Sequence, residues 1–382
     1  MNTVSIKPEL IRWAKERSGI TMNVLLKWFP KFELWERGEA MPTLQQLEGL
    51  AKKTWTPLGY FFLPKPPEEK LSIPDYRTIS NAPVQRLSPN LLETVQIMQR
   101  RQTWMRDFLI EQGEKPLIFI GSVKLSDNPN HIATKIREEI GLNSNWANQQ
   151  KTWTNALQTL RLAVEKIGIL MVFNGVVGNN THRKLEVEDF RGFVLSDKYA
   201  PLIFINSTDA KAAQMFTFVH ELVHLWLDCN GVFNFQAMQP ADHDIEKFCD
   251  HVAAECLVPA QELSAYWTEA NQSDEPFQVL ARRFKVSPLV CARRALDLGF
   301  IEKLSFIQFY QDYLSDERRK SAKRPPGGDY YATQDVRVGR RFFEAIICAT
   351  KEGRLLYRDA YQLTGLSCQT FDKYAGLLEV RL

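Results

Sequence analysis

The sequence predicts a mainly α fold with a small β-sheet, an α+β class, on three observations. Apolar residues return at helical spacing in segments spread from Leu10 to Phe371. Two short strand-like runs, Phe190–Ser196 and Pro201–Asn206, interrupt them near mid-chain. Pro- and Gly-rich punctuation separates the helical blocks. With 382 residues, 45% apolar and 24% charged, the chain has enough material for two or three soluble domains.

From the N-terminus, Leu10, Ile11, Trp13 and Ala14 give a first helix, Gly19-Ile20-Thr21 a turn, and Met22 to Phe29 a second helix. A third segment runs from Lys31 to Glu39 and a fourth from Pro42 to Ala51. The run Trp35-Glu36-Arg37-Gly38, the Pro42 that follows and the apolar end Leu47 to Ala51 resemble the Xre/Cro-type helix-turn-helix domain, expected over residues 1–65. That resemblance implies a third helix in the DNA major groove, with Lys27, Lys31 and Arg37 as the DNA-binding candidates. Ten Lys/Arg against six Glu make this segment mildly basic. The alternative is a helical bundle that docks a protein partner.

Pro64, Pro66, Pro67 and Pro74 mark an extended linker, expected at 66–90. A domain over 91–300 follows. It opens with a long amphipathic helix from Leu91 to Gln112 and continues with helices at Ile132–Ile140 and Ala156–Ile167. The strand Phe190–Ser196 alternates in polarity, and Pro201–Asn206 is a short apolar run bounded by Pro and Asn.

The chemistry begins at His220-Glu221-Leu222-Val223-His224. Residues four apart stand above one another on a helix face, so both imidazoles can address one Zn²⁺ while Glu221 reaches a bound water. The flanking Phe218, Val219, Leu222, Leu225 and Trp226 make this helix apolar nearly all round, hence buried. Two buried unpaired imidazoles and a carboxylate are costly, and a metal removes that cost. A catalytic zinc takes three protein ligands, so a third is required. Leu227 and Asn230 stand where a metzincin would carry Gly and His, which excludes that class.

The next helix, Asp242 to Pro259, places Glu246 and Asp250 on one face. This is the gluzincin-type arrangement, with Glu246 as third metal ligand and Asp250 orienting a ligating His. His243, one turn earlier, is a rival ligand, a donor to the tetrahedral oxyanion, or a solvated helix-start residue. His251 and Glu255 read as surface or interhelical polar groups. Small Ala253 and Ala254 allow the two helices to approach closely.

The run from Phe216 to Leu227, followed by Ile245 to Pro259, resembles the ImmA/IrrE metallopeptidase family. Asp250 stands where that family usually has Asn, Cys249 where it has Ala, and Val252 where it has Phe. The resemblance implies a zinc endopeptidase with Zn²⁺ as cofactor, in which zinc polarises the scissile carbonyl and Glu221 moves the proton. It also implies an edge strand that holds an extended peptide by strand addition, for which Gly192, Phe193 and Val194 are the substrate-cradle candidates.

Downstream, Leu280 to Val290 and Tyr361 to Phe371 repeat a helix-turn-helix pattern, the second within a C-terminal helical domain expected at 301–382. Arg282, Arg283, Arg293 and Arg294 could meet phosphates, although such basic faces are more often simply solvated. Arg318 to Arg324 lead into a hinge at Pro325-Pro326-Gly327-Gly328. The net charge of +3 argues neither for nor against nucleic acid. Six scattered cysteines suit free thiols in a reducing cytoplasm. No signal peptide and no membrane span are expected.

The full architecture resembles fusions of an Xre-type domain with an ImmA/IrrE domain. This implies a protein partner such as a repressor or toxin, encoded nearby, and contact with operator DNA. Two functions are expected as alternatives: a zinc endopeptidase and transcription regulator, or an antitoxin that neutralises a PIN-type ribonuclease toxin by binding, with the peptidase fold as scaffold.

Overall fold

The computed structural model describes residues 3–73, 87–233, 244–315 and 333–379, and divides the chain into two units, Met1–Ser72 with Ile79–Gln96 and Ile73–Thr78 with Ile97–Leu382. It is mainly α with a small sheet, the fold class the sequence predicts. No helix among the described residues is long and apolar enough to cross a membrane.

In the smaller unit, helices α1 (Pro8–Ser18), α2 (Met22–Trp28), α3 (Phe32–Arg37) and α4 (Leu44–Lys53) surround a core of Leu10, Ile11, Leu25, Phe32, Trp35, Leu47 and Leu50. Gly19 and Gly38 end α1 and α3 in the left-handed region, at φ 64° and 77°, where a Cβ would be strained. Thr43 starts α4 with a capping box: its hydroxyl accepts from the Gln46 amide at 3.3 Å, and the Gln46 side chain accepts from the Thr43 amide at 2.9 Å. The four helical segments thus lie where their periodicity placed them.

Helix α5 (Pro89–Glu111) comes next, where a long helix is predicted. In the larger unit, α6 (Pro129–Glu139) and α7 (Trp153–Lys166) each start at an Asn or Thr whose side chain accepts from first-turn amides. They precede β1 (Leu170–Asn174), a hairpin of β2 (Val176–Val177) and β3 (Asn180–Lys184), then β4 (Gly192–Leu195) and β5 (Leu202–Asn206). The main sheet is completed by β6 (Gly231–Phe233) in the order β1-β5-β4-β6, with β1 parallel to β5 and the other pairs antiparallel. Of these, β4 and β5 are the predicted strands.

Between β5 and β6 runs α8 (Lys211–Trp226), and α9 (Asp244–Leu257) packs on both α8 and α6. Helices α10 (Ala260–Ala270), α11 (Pro276–Phe284), α12 (Pro288–Asp297) and α13 (Lys303–Ser315) follow. The helix-turn-helix pattern read at 280–290 is the α11–α12 turn, where Lys285 takes φ 55° and Ser287 caps α12 through Val290 N. Its arginines are not all solvated as expected. Arg294 is buried, pairs with Glu255 of α9 and donates to the Val258 carbonyl at 3.1 Å, so it serves packing between helices. Arg283 donates to Asn145 at 2.6 Å.

The C-terminal segment begins with a π-helical turn, Asp335–Gly339, and continues through α14 (Arg340–Lys351), α15 (Tyr357–Thr364) and α16 (Cys368–Glu379). The second helix-turn-helix pattern is the α15–α16 turn at Gly365, φ 71°. The π turn lies against β1: a Cβ on Gly339 would sit 2.9 Å from the Met171 carbonyl oxygen. Buried Arg101 of α5 holds the segment, donating to the carbonyls of Arg337, Leu363 and Thr364 at 2.9 to 3.1 Å. Arg161 adds ion pairs to Asp335 at 3.1 Å and Glu165 at 3.4 Å. Residues 74–86 of the linker expected at 66–90, and residues 325–328, lie outside the described residues.

Burial lifts the Glu165 carboxyl from 4.5 to about 7, against the pull of Arg161 and with Asp335 adding to the rise. The folded protein therefore holds a proton there that the unfolded chain releases, so this group's contribution to stability declines as pH rises from about 4.5 to about 7 and is level above. Glu165→Gln is expected to gain on the wild type across that window, by at most on the order of 3 kcal/mol. Denaturant midpoints at pH 5 and pH 8 check it; a difference that shrinks with rising pH would contradict the assignment.

Candidate metal centre

The turn from β5 into α8 is held by polar side chains facing inward. Buried Asn206 donates to the carbonyls of Glu186 and Phe190 and accepts from Thr208 N at 3.0 Å. Gln214 donates to the Ser207 and Asp209 carbonyls at 3.2 and 2.7 Å. These bonds fix where α8 leaves the sheet. The helix itself is anchored by apolar contacts, with Phe218 edge-on to Phe173 at 5.6 Å and Trp226 stacked on Phe119 at 4.6 Å.

Within that frame His220, Glu221 and His224 are each 0% exposed, and α9 brings Glu246 to them. His220 Nε2 and His224 Nε2 lie 3.0 Å apart. Glu246 Oε2 is 3.1 Å from His220 Nε2, and its Oε1 3.6 Å from His224 Nε2. One ligand atom from each of the three lies within 4.8 Å of the others, a buried group that could hold a metal ion. Donors about 2.0–2.2 Å from a tetrahedral ion stand roughly 3.3 Å apart, so these separations fit. Glu246 Oε1 and both Glu221 oxygens are buried without a hydrogen bond, orphans that a cation and its ligand sphere suit.

The expected outer partner is also in place, since Asp250 Oδ1 lies 3.0 Å from His220 Nδ1. The charges follow from burial and these contacts. Burial alone would lower the His220 imidazole, but its hydrogen bonds to Asp250 and Glu246 prevail and raise it to about 10. Burial depresses His224 well below the ordinary range, and the neighbouring His220 charge adds to this. Burial lifts Glu221 far above the usual carboxylate range, opposed by His220 and reinforced by Glu246.

His243 lies outside the described residues. Lys27, Lys31 and Arg37 are exposed on the smaller unit, while Phe32 and Trp35 of the same predicted recognition segment are buried in its core. One contact escaped sequence reading: Cys249 Sγ lies 3.6 Å from His224 Nδ1. Its position three residues after Glu246 was the available signal.

The substrate-cradle expectation requires correction. Gly192, Phe193 and Val194 do not form an edge: β4 pairs with β5 on one side and with β6 on the other, in the register Gly192 to Phe233, Phe193 to Val232 and Val194 to Gly231. Ser196 secures the chain leading into β6, donating from its amide to Asn230 Oδ1 at 2.5 Å and from its hydroxyl to Asp228 Oδ1 at 2.7 Å. Paired on both sides from Gly192 to Val194, β4 is not an edge open to strand addition there. Phe193 and Val194 are 0% exposed, and Phe193 stacks on Phe204 at 4.9 Å.

Gly192 nevertheless shapes the site. A Cβ there would lie 3.0 Å from Glu221 Oε1 and Thr217 Cγ2 and 3.1 Å from the Phe204 carbonyl oxygen. The Phe204 backbone oxygen of β5 cannot swing aside, and Glu221 and Thr217 crowd the same position from α8, so Gly192→Ala is expected to push β4 away from both neighbours and destabilise by about 1–3 kcal/mol. Thermal unfolding of the variant checks this; wild-type stability would mean that strand and helix do not meet so closely.

Residues 164–296, which contain the main-sheet strands, α8 and α9, match a peptidase family described as the IrrE N-terminal-like domain. Residues 338–376 match a domain of unknown function. No curated protein matches the chain. The metal-site half of the larger unit is thus similar to the IrrE N-terminal-like peptidase domain, in support of the ImmA/IrrE resemblance carried by its two helices.

Proposed function

We propose that this chain is a zinc-dependent endopeptidase that cuts a protein partner, such as a repressor or toxin, in a regulatory role. The observation that carries the reading is the convergence of His220, His224 and Glu246 around one point beside a fully buried, unpartnered Glu221 carboxylate. A bound Zn²⁺ would polarise the scissile carbonyl and make water acidic enough to attack near neutral pH. Glu221 would accept the proton from the attacking water and deliver it to the departing amine nitrogen. Asp250 holds His220 by Nδ1, which leaves Nε2 for the ion. Exposed Lys27, Lys31 and Arg37 suit contact with the phosphates of operator DNA, which adds a transcription-regulating role.

The test pairs metal content with cleavage. Purified full-length protein is expected to bind about one zinc per chain and to cut members of a quenched fluorescent peptide library. Glu221→Gln should keep the metal and lose cleavage by about 10²- to 10⁴-fold, whereas His224→Ala should lose the metal. A chain that takes up no zinc, or a Glu221→Gln variant as active as wild type, would defeat the reading. A stable uncut complex with the product of the adjacent gene would favour neutralisation by binding instead.

A further inference from the structure

Two neighbouring residues of α9 address two different imidazoles of α8. Asp250 Oδ1 meets His220 Nδ1 at 3.0 Å, and Cys249 Sγ meets His224 Nδ1 at 3.6 Å, within hydrogen-bond range for sulfur. Glu246, one turn earlier on the same helix, meets the Nε2 side of both rings. One stretch of helix therefore offers a carboxylate on the metal-facing side and a separate partner for the far nitrogen of each histidine.

We propose that Cys249 is a positioning residue for His224, and the proposal rests on the metal reading given above. For Nε2 to carry its lone pair toward an ion, the neutral ring must hold its proton on Nδ1, and on a ring 0% exposed that N–H needs an acceptor. Cys249 Sγ is there to accept it. The residue is 0% exposed and belongs to the same apolar core as Val252 and Ala253, so the sulfur has little freedom to leave. The thiol is not a fourth ligand, because it faces the nitrogen opposite the one that converges with His220 and Glu246.

The role separates from mere packing by comparison of two variants. Cys249→Ala removes the acceptor while leaving an apolar wall; Cys249→Ser keeps an acceptor but puts a hydroxyl into an apolar core. Zinc affinity of the full-length chain, measured by competition with a chromophoric chelator, is expected to fall about 10-fold in Cys249→Ala, in the range found for outer partners of metal ligands. Cys249→Ser should recover most of that loss, although its metal-free form should unfold at the lower temperature of the two. Opposite orders of affinity and metal-free stability would establish the positioning role. Wild-type affinity in Cys249→Ala, or affinities that simply follow metal-free stability, would overturn it. Failure of the wild type itself to bind zinc would remove the metal reading and this inference together, whereas a wild type that binds and an unaffected Cys249→Ala would remove this inference alone.

Discussion

His220, Glu221 and His224 occupy the interior of an apolar helix, and the structure of the larger unit is organised by what their burial demands. An ionised side chain withdrawn from water loses several kcal/mol of solvation unless opposite charge or hydrogen bonds stand close by. Helix α9 supplies both, through Glu246 and Asp250 on His220 and through Cys249 on His224. Glu221 has the His220 charge nearby, but neither of its oxygens has a hydrogen bond. A carboxylate placed this way is costly to stability and useful to chemistry, since it is free to exchange a proton with whatever enters the site.

That arrangement holds only if α8 and α9 are fixed to within a fraction of an ångström, and the surroundings are built accordingly. The sheet offers fully buried β1 and β5 as a platform, paired in parallel from Leu170 with Leu202 to Asn174 with Asn206. Each strand ends in an Asn that ties down the following loop: Asn174 donates to the Gly178 carbonyl at 2.6 Å, and Asn206 secures the start of α8. Glycine at 192 lets β4 pass against Glu221. On the far side, the C-terminal segment closes over β1 through the π turn, held by Arg101 on the Arg337 carbonyl and by Arg161 and Tyr374 on Asp335. The β1 edge of the sheet is thereby covered.

The buried cluster that could hold a metal was legible because the relations within each helix are local. His220 and His224 are one turn apart on one helix, Glu246 and Asp250 one turn apart on another, and helical geometry turns such spacing into shared faces. The helices of the smaller unit were legible for the same reason, with Gly19, Gly38 and Thr43 marking their ends. The strand β1 was passed over although Leu170 to Phe173 is an uninterrupted apolar run, because periodicity alone does not separate a buried strand from a helix segment. The three residues of β6 carry no pattern at all; their pairing with β4 is set by Asp228 and Asn230 reaching Ser196 across more than thirty positions. Arg294 read as a solvated cation, since nothing local announces that Glu255 waits on a neighbouring helix.

The helical faces are legible in the sequence alone, His220 with His224 and Glu246 with Asp250, because a repeat of 3.6 residues per turn projects side chains onto a surface without reference to the rest of the chain. Tertiary packing settles that Glu246 meets the two imidazoles, that Cys249 comes to His224, and that β4 lies inside the sheet instead of at its rim. Those outcomes depend on contacts between segments far apart in the chain, whose selection follows from joint packing of the whole core and from no single stretch of it.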